Sequence, residues 1–241
     1  MGYFKTDSKT LDNPSESEIN ALYDQGYLFT RLEKGNLYQT RSLRIDLNNY
    51  SHTSENSRIL RKNEDINLVT KQLPLQEYSW KIHKYAKDFY QDRFGTGVMS
   101  ATKIKEMFVD HSKSNMNEAY LYTANSTEAE SEWELEIDGE KNIFGVSICY
   151  SNSAILHYSY PFYDLAIPKN RSLGMAMMIK AIDKAKEDRK SYVYLGSIKD
   201  ESSLYKLQFE GMEWWNNDEK SWSKDIGHLK SVTKVEQVNL N

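Results

Sequence analysis

Between Phe162 and Trp215 the chain switches from strand to helix, back to strand and again to helix, a rhythm that few folds accommodate. An aromatic strand closes on Phe162-Tyr163-Asp164. Arg171-Ser172-Leu173-Gly174-Met175-Ala176 then opens a helix over 172–187, with Leu173, Ala176, Met177, Lys180, Ala181 and Lys184 on successive turns. The run Tyr192-Val193-Tyr194-Leu195 does not alternate, so it predicts a short central strand covered on both faces. A second helix follows from about Glu201 to Leu207.

Upstream, Ala119–Ala124, Phe144–Tyr150 and Ile155–Phe162 read as strands. Trp133, Leu135 and Ile137 alternate with glutamates as a half-buried strand that ends in the hairpin turn Asp138-Gly139. A meander leading into helix, strand and helix predicts an α/β (α+β) protein, a mixed sheet flanked by helices. The strands at about 155–162 and 191–196 should run parallel and splay at one end, with the Ser172 helix beginning beside the gap.

The first half is less regular. Residues 1–18 read as a polar, disordered tail, 19–116 as a smaller N-terminal region and 117–241 as the main domain. Ser15-Glu16-Ser17-Glu18 ahead of Ile19 and Tyr23 has the form of a capping box. Tyr27-Leu28-Phe29 and Gly35–Tyr38 suggest a hairpin, and Ser42–Leu47 alternates as a strand. Helical spacing runs through Glu77–Tyr90 and again through Ile104, Met107 and Phe108.

The net charge of −4 argues against a general nucleic-acid binder. Charge is uneven, however. Residues 31–62 hold seven basic groups against three acidic ones, whereas 128–140 hold seven acidic groups and no basic one. A polyanion could use the first region, through Arg41, Arg44, Arg58, Arg61 and Lys62, and would avoid the second. No run reaches the ~20 apolar residues of a membrane span, and the N-terminus lacks a signal peptide's apolar core. These features predict a soluble, cytoplasmic chain with no membrane partner. One Cys and five scattered His supply no closed set of metal ligands, so no metal or cluster is expected. Cys149 reads as a buried thiol and His157 as a strand-face residue first, an acid/base candidate second.

Arg171–Ala176 fits an R/Q-x-x-G-x-G/A pattern. A Gly-bearing turn at a helix N-terminus turns backbone N–H groups and the positive end of the helix dipole toward phosphate oxygens. Acyl-CoA acetyltransferases carry this pattern. A longer set of motifs resembles a narrower family. Arginyl- and leucyl-tRNA–protein transferases have blocks similar to Phe162-Tyr163-Asp164, Ser172-Leu173-Gly174, Tyr192-Val193-Tyr194-Leu195-Gly196 and Tyr205-Lys206-x-x-Phe209, in this order and near this spacing. Tyr38, Arg44 and the run from Ser54 to Asn63 resemble that family's N-terminal domain more loosely. The family commonly has cysteines just after the position of Tyr38. Here the stretch reads Gln39-Thr40-Arg41-Ser42.

The resemblance implies a GNAT-like fold and transfer of an amino acid from tRNA to the N-terminus of a protein or peptide, the partners being tRNA and that acceptor. No cofactor is implied, because aminoacyl-tRNA is itself the donor. It also implies that Arg171, Ser172, Leu173, Gly174, Tyr194 and Gly196 hold the donor. In catalysis, Lys206 could neutralise charge, Tyr205 could donate to the leaving oxygen and Asp164 could hold the acceptor amine. Trp214, Trp215 and Trp222 read as packing anchors that could also stack the terminal adenine of a tRNA. The alternative is an acetyl-CoA-dependent N-acetyltransferase, which the Arg171–Ala176 pattern fits equally well.

Overall fold

Ser15 begins the first helix by satisfying donors that a helix end leaves unpaired. Its side chain accepts from the Glu18 amide while the Glu18 carboxylate accepts from the Ser15 amide, a closed capping box. The computed structural model describes residues 5–124, 131–198 and 201–238. Glu128, Glu130 and the connection residues Lys199 and Asp200 lie outside these.

The order is β1 (Asp7–Thr10), α1 (Glu16–Tyr23), β2 (Tyr27–Phe29), β3 (Asn36–Gln39), β4 (Ser42–Asp46), α2 (Ser54–Arg61), β5 (Ile66–Gln72), α3 (Trp80–Phe94) and α4 (Ala101–Val109). Then come β6 (Glu118–Ala124), β7 (Ile143–Ser151), β8 (Ile155–Tyr163), α5 (Leu173–Glu187), β9 (Tyr192–Ser197), a 3₁₀ segment (Glu201–Gln208), β10 (Met212–Asn216), β11 (Ser221–Ser223) and α6 (Ile226–Val238). β1, β3 and β2 form a small antiparallel sheet. Among the described residues the main sheet has eight strands in the order β11-β10-β4-β9-β8-β7-β6-β5, and only β8 and β9 pair in parallel. This is the mixed sheet flanked by helices that the sequence predicts.

Alternation along the strands divides the core between the two faces. Leu121, Val146, Ile148 and Tyr194 share a buried cluster with Ile82, Ala86, Met107 and Phe108 of α3 and α4. Tyr120, Tyr122, Tyr158, Val193 and Leu195 share another with Ile59 of α2 and Ala176 and Ile179 of α5.

Several expectations change. Asp7–Thr10, read as part of a polar tail, pairs with β3. Trp133, Leu135 and Ile137 do not form a strand of either sheet; β5, β6 and β7 pair with one another without them. The segment keeps its alternating burial by laying Trp133 on the Tyr85 ring, with centroids 4.7 Å apart, and sinking Leu135 and Ile137 into the core. The Asp138-Gly139 turn does form, closed by an Ile137–Glu140 bridge. The segment from Glu201 is a 3₁₀ helix, and the Trp-rich stretch is a hairpin that extends the main sheet. Finally, β4 and β5 belong to the main sheet although both lie before residue 117.

Candidate active site

β8 and β9 pair only through Ile155–Tyr192, Leu156–Val193 and His157–Tyr194. Beyond that point both strands continue without each other, to Tyr163 and Ser197. A bulge reinforces the divergence. Val146 faces Phe162 and Ile148 faces Ser159, so Tyr160 and Pro161 together oppose Ser147. Tyr160 takes a left-handed φ of 45°, and Pro161 cannot donate to the ladder.

The splayed end opens into a cleft of about 610 Å³ lined by Tyr160, Tyr163, Ser172, Leu173, Gly174, Tyr205 and Lys206, with Arg93 and Phe94 from α3. α5 begins at its edge. Ser172 sits at φ 54°, and its carbonyl accepts from the amides of Met175 and Ala176 at 3.0 Å each. Among the described residues no acceptor meets the amides of Leu173 and Gly174, so this helix end carries free donors at the cleft. Gly174 packs close to Tyr163: a Cβ there would lie 3.0 Å from the ring, which would have to shift by a few tenths of an ångström.

Lys206 crosses from the 3₁₀ segment to the open end of β9, where its Nζ donates to the Leu195 carbonyl at 2.9 Å. Gly196 has a φ of 80°, and a Cβ there would stand 3.7 Å from that Nζ. Desolvation brings the Lys206 ammonium down to about 8, although the residue as a whole is only half-buried. Tyr205 beside it is 51% exposed on the cleft rim.

His157 marks the paired end. It is buried, and its Nδ1 lies 2.9 Å from the Tyr23 hydroxyl, which also accepts from the Phe29 amide. Burial, aided by the charge of Lys206, pulls His157 down to about 3, so the ring is neutral. Cys149 is buried and its thiol is pushed up to about 12 by desolvation, which makes it inert.

The other candidates divide. Asp164 is buried and clasps backbone and side chain: it accepts from Ser131 Oγ at 2.7 Å, the Glu132 amide at 2.6 Å and the Ala166 amide at 2.9 Å. Its oxygens hold two loop segments and are not free for an acceptor amine. Arg171 ion-pairs with Asp65 and donates to Asn63 Oδ1, tying the turn between α2 and β5 to the start of α5. Tyr194 is fully buried, edge-on to Tyr23 at 4.8 Å, and does not line the cleft.

The five basic residues also separate. Arg41 is buried. Arg44 is buried between the rings of Tyr192 and Trp222, 4.0 and 4.1 Å from their centroids, and pairs with Glu213 and Asp24. Arg58, Arg61 and Lys62 are exposed on and just after α2. Trp214 and Trp215 are buried, and Trp222 serves Arg44, so none of the three is a stacking platform at the cleft. Sequence reading missed the bulge and the contribution of α3; Pro161 inside a strand pattern was the available signal for the first.

Among the described residues no group of three or more His, Cys, Asp and Glu is arranged to hold a metal ion. No helix among them is long and apolar enough to cross a membrane.

Residues 75–216 match the family described as arginine-tRNA-protein transferase, C terminus. That span is more than half of the 241-residue chain, and the protein belongs to this family. Residues 1–74, including the exposed cations of α2, lie outside the match. No curated protein matches the chain. Among solved structures it is similar to L-PGS from Bacillus licheniformis, with 12% identity and a TM-score of 0.43 over 76% of this chain and 52% of that one. FemX gives 10% and 0.44 over 77% and 61%. The C-terminal domain of a putative lysylphosphatidylglycerol synthetase from Agrobacterium fabrum gives 9% and 0.42 over 92% and 70%. The alignment spans about half the length of the first of these.

Proposed function

We propose that this protein transfers an aminoacyl group, arginyl or leucyl, from tRNA to the N-terminal α-amine of a protein or peptide. One observation carries the reading: in a chain of the arginine-tRNA-protein transferase family, free amides of a helix N-terminus and a lysine amine open onto the same splayed strand pair. The reaction is aminolysis of an ester that is already activated. The acceptor nitrogen bonds to the acyl carbon, the carbon–oxygen bond to the ribose breaks, and one proton passes from nitrogen to the leaving oxygen.

An α-amine has an ordinary pKa near 8, so an appreciable share is nucleophilic at neutral pH. Lys206, at about 8, is matched to accept a proton from the attacking amine and return it to the leaving alkoxide. Holding the two reactants together supplies much of the remaining rate. A second cavity of about 570 Å³ shares the lining residue Tyr160 with the first. Its wall is mixed in charge: Glu33 and Glu106 lie there with Arg31, Lys103 and Lys113, and Lys113 pairs with Glu106 at 2.6 Å. Arg58, Arg61 and Lys62 supply positive charge toward the tRNA body. Their position supports this role, since Lys62 Nζ donates to the Asn170 carbonyl, two residues before the Ser172 turn. The cytoplasm, where charged tRNA is found, is the compartment this reading implies.

The test is transfer of labelled arginine and leucine from charged tRNA to peptides of varied N-terminus. Ribonuclease should abolish labelling. Ribonuclease-insensitive acetyl transfer from acetyl-CoA would replace this reading with that of an N-acetyltransferase.

A further inference from the structure

Four large apolar side chains are exposed among the described residues: Trp80, Phe94, Val98 and Tyr205. Two of them, Phe94 at 61% and Tyr205 at 51%, line the candidate donor cleft. They come from separate parts of the chain, the end of α3 and the 3₁₀ segment, and neither is needed to fill a core. Phe94 is backed by rings that fix its position, with Tyr90 at 5.7 Å and Phe89 at 6.5 Å between centroids. Exposed Arg93 and Lys169 bring positive charge to the same cleft.

We propose that Phe94 and Tyr205 form the stacking platform for the adenine of the 3′-terminal adenosine of the charged tRNA, with Arg93 and Lys169 beside its 5′ phosphate. This rests on the tRNA reading given above. Rings kept in water next to cations suit a nucleotide, because a base offers a π-face to each ring while its phosphate meets the charge. Both rings line the same cleft as Lys206, which suits a donor whose base and acyl ester are only a ribose apart. In acetyl-CoA a pyrophosphate and a pantetheine arm stand between adenine and thioester. Phe94 and Tyr205 thus take the role that sequence reading offered to the buried tryptophans.

The probes are 3′-arginylamido- and 3′-leucylamido-3′-deoxyadenosine, stable amide mimics of the tRNA terminus, with their uridine counterparts and coenzyme A. Each is measured by calorimetric binding to the full chain and by inhibition of transfer from charged tRNA. Binding by at least one adenosine amide, about tenfold tighter than by its uridine counterpart, is expected. Phe94→Ala and Tyr205→Ala should each weaken it about tenfold, while Phe94→Tyr and Tyr205→Phe keep it. Both positions are exposed, and retained thermal unfolding verifies the fold. Equal binding of adenosine and uridine amides, or unchanged binding in both alanine variants, overturns the platform even if transfer from tRNA is intact. Loss of transfer in Tyr205→Phe with binding retained would make the phenol a reacting group and overturn its assignment as a mere surface for the base. Tight coenzyme A binding that needs Phe94, without any binding of the adenosine amides, would overturn both this inference and the tRNA reading.

Discussion

The two ends of β8 are built from similar residues and do opposite things. At the paired end, Ile155 to His157 are locked to β9, and the titratable group there is sealed against Tyr23. At the open end, Tyr160 and Pro161 bulge away and Lys206 takes the place that a paired strand would have filled. Desolvation lowers both groups, His157 to about 3 and Lys206 to about 8. The same physical cause makes one silent at neutral pH and puts the other at its midpoint near physiological pH. What distinguishes them is access: His157 is fully enclosed, whereas Lys206 faces a cleft.

Lys206→Ala should produce the largest effect if the open end alone does chemistry. Removing a proton carrier lowers a rate by about 10²–10⁴. Lys206→Arg should be nearly as inactive, since a guanidinium does not deprotonate. Single-turnover transfer from charged tRNA measures both. Full activity in Lys206→Arg would show that only positive charge is used.

At the closed end the counterpart is Tyr23→Phe. It strips Nδ1 of His157 and the Phe29 amide of their shared partner, and a buried group left unpaired costs about 1–3 kcal/mol. Denaturant unfolding should show that loss while transfer per folded molecule stays near wild type. A rate loss larger than the stability loss would mean that the paired end also takes part in the reaction.

pH separates the two ends more finely. Below 6.5 the unfolded His157 binds a proton that the folded ring refuses until about pH 3, so stability falls as pH drops through that window. Lys206 works at the alkaline side. Below pH 8 it is protonated in both states, and between about 8 and 10.5 only the folded amine sheds its proton, so stability rises with pH there. His157→Gln should flatten the acid slope and Lys206→Met the alkaline one, each leaving the other in place. Unfolding free energies from pH 4 to pH 10 provide the comparison.

Sequence made the strand–helix–strand order legible because periodicity reports burial, and burial follows the face of each element. The parallel β8–β9 pair and the start of α5 follow from it, whereas Lys206 was singled out by the resemblance to the tRNA–protein transferases. What periodicity does not carry is which polar atom meets which. Asp164 and Arg171 were plausible site residues by type and place, yet their partners, the Glu132 amide and Asp65, lie far along the chain. Arg44 shows the same limit, since nothing local announces that Tyr192 and Trp222 will close on it. The glutamate-lined pattern at 133–137 was misread because alternation records two environments and not a hydrogen-bonded neighbour.

The smallest expected effect tests how far the open end extends beyond the cleft. Arg58 already shares its charge with Glu55 at 2.5 Å, and Arg61 lies in a groove of mixed charge with Glu64, Asp183, Glu187, Lys180 and Lys184. Part of the Arg58 charge is therefore already engaged, and exposed ion pairs are weak enough to be exchanged. Arg58→Ala with Arg61→Ala should raise the KM for charged tRNA only a few-fold, with kcat unchanged. The salt dependence reads this more sharply, since each lost phosphate contact lowers the slope of log affinity against log salt by about 0.7–0.9. Lys62 is left intact because its bond to the Asn170 carbonyl helps set the turn before α5. Inhibition by the adenosine amides should be the same in the double variant and in wild type, since those probes have no tRNA body. A slope that does not change would place the tRNA body on another surface while leaving the cleft as described.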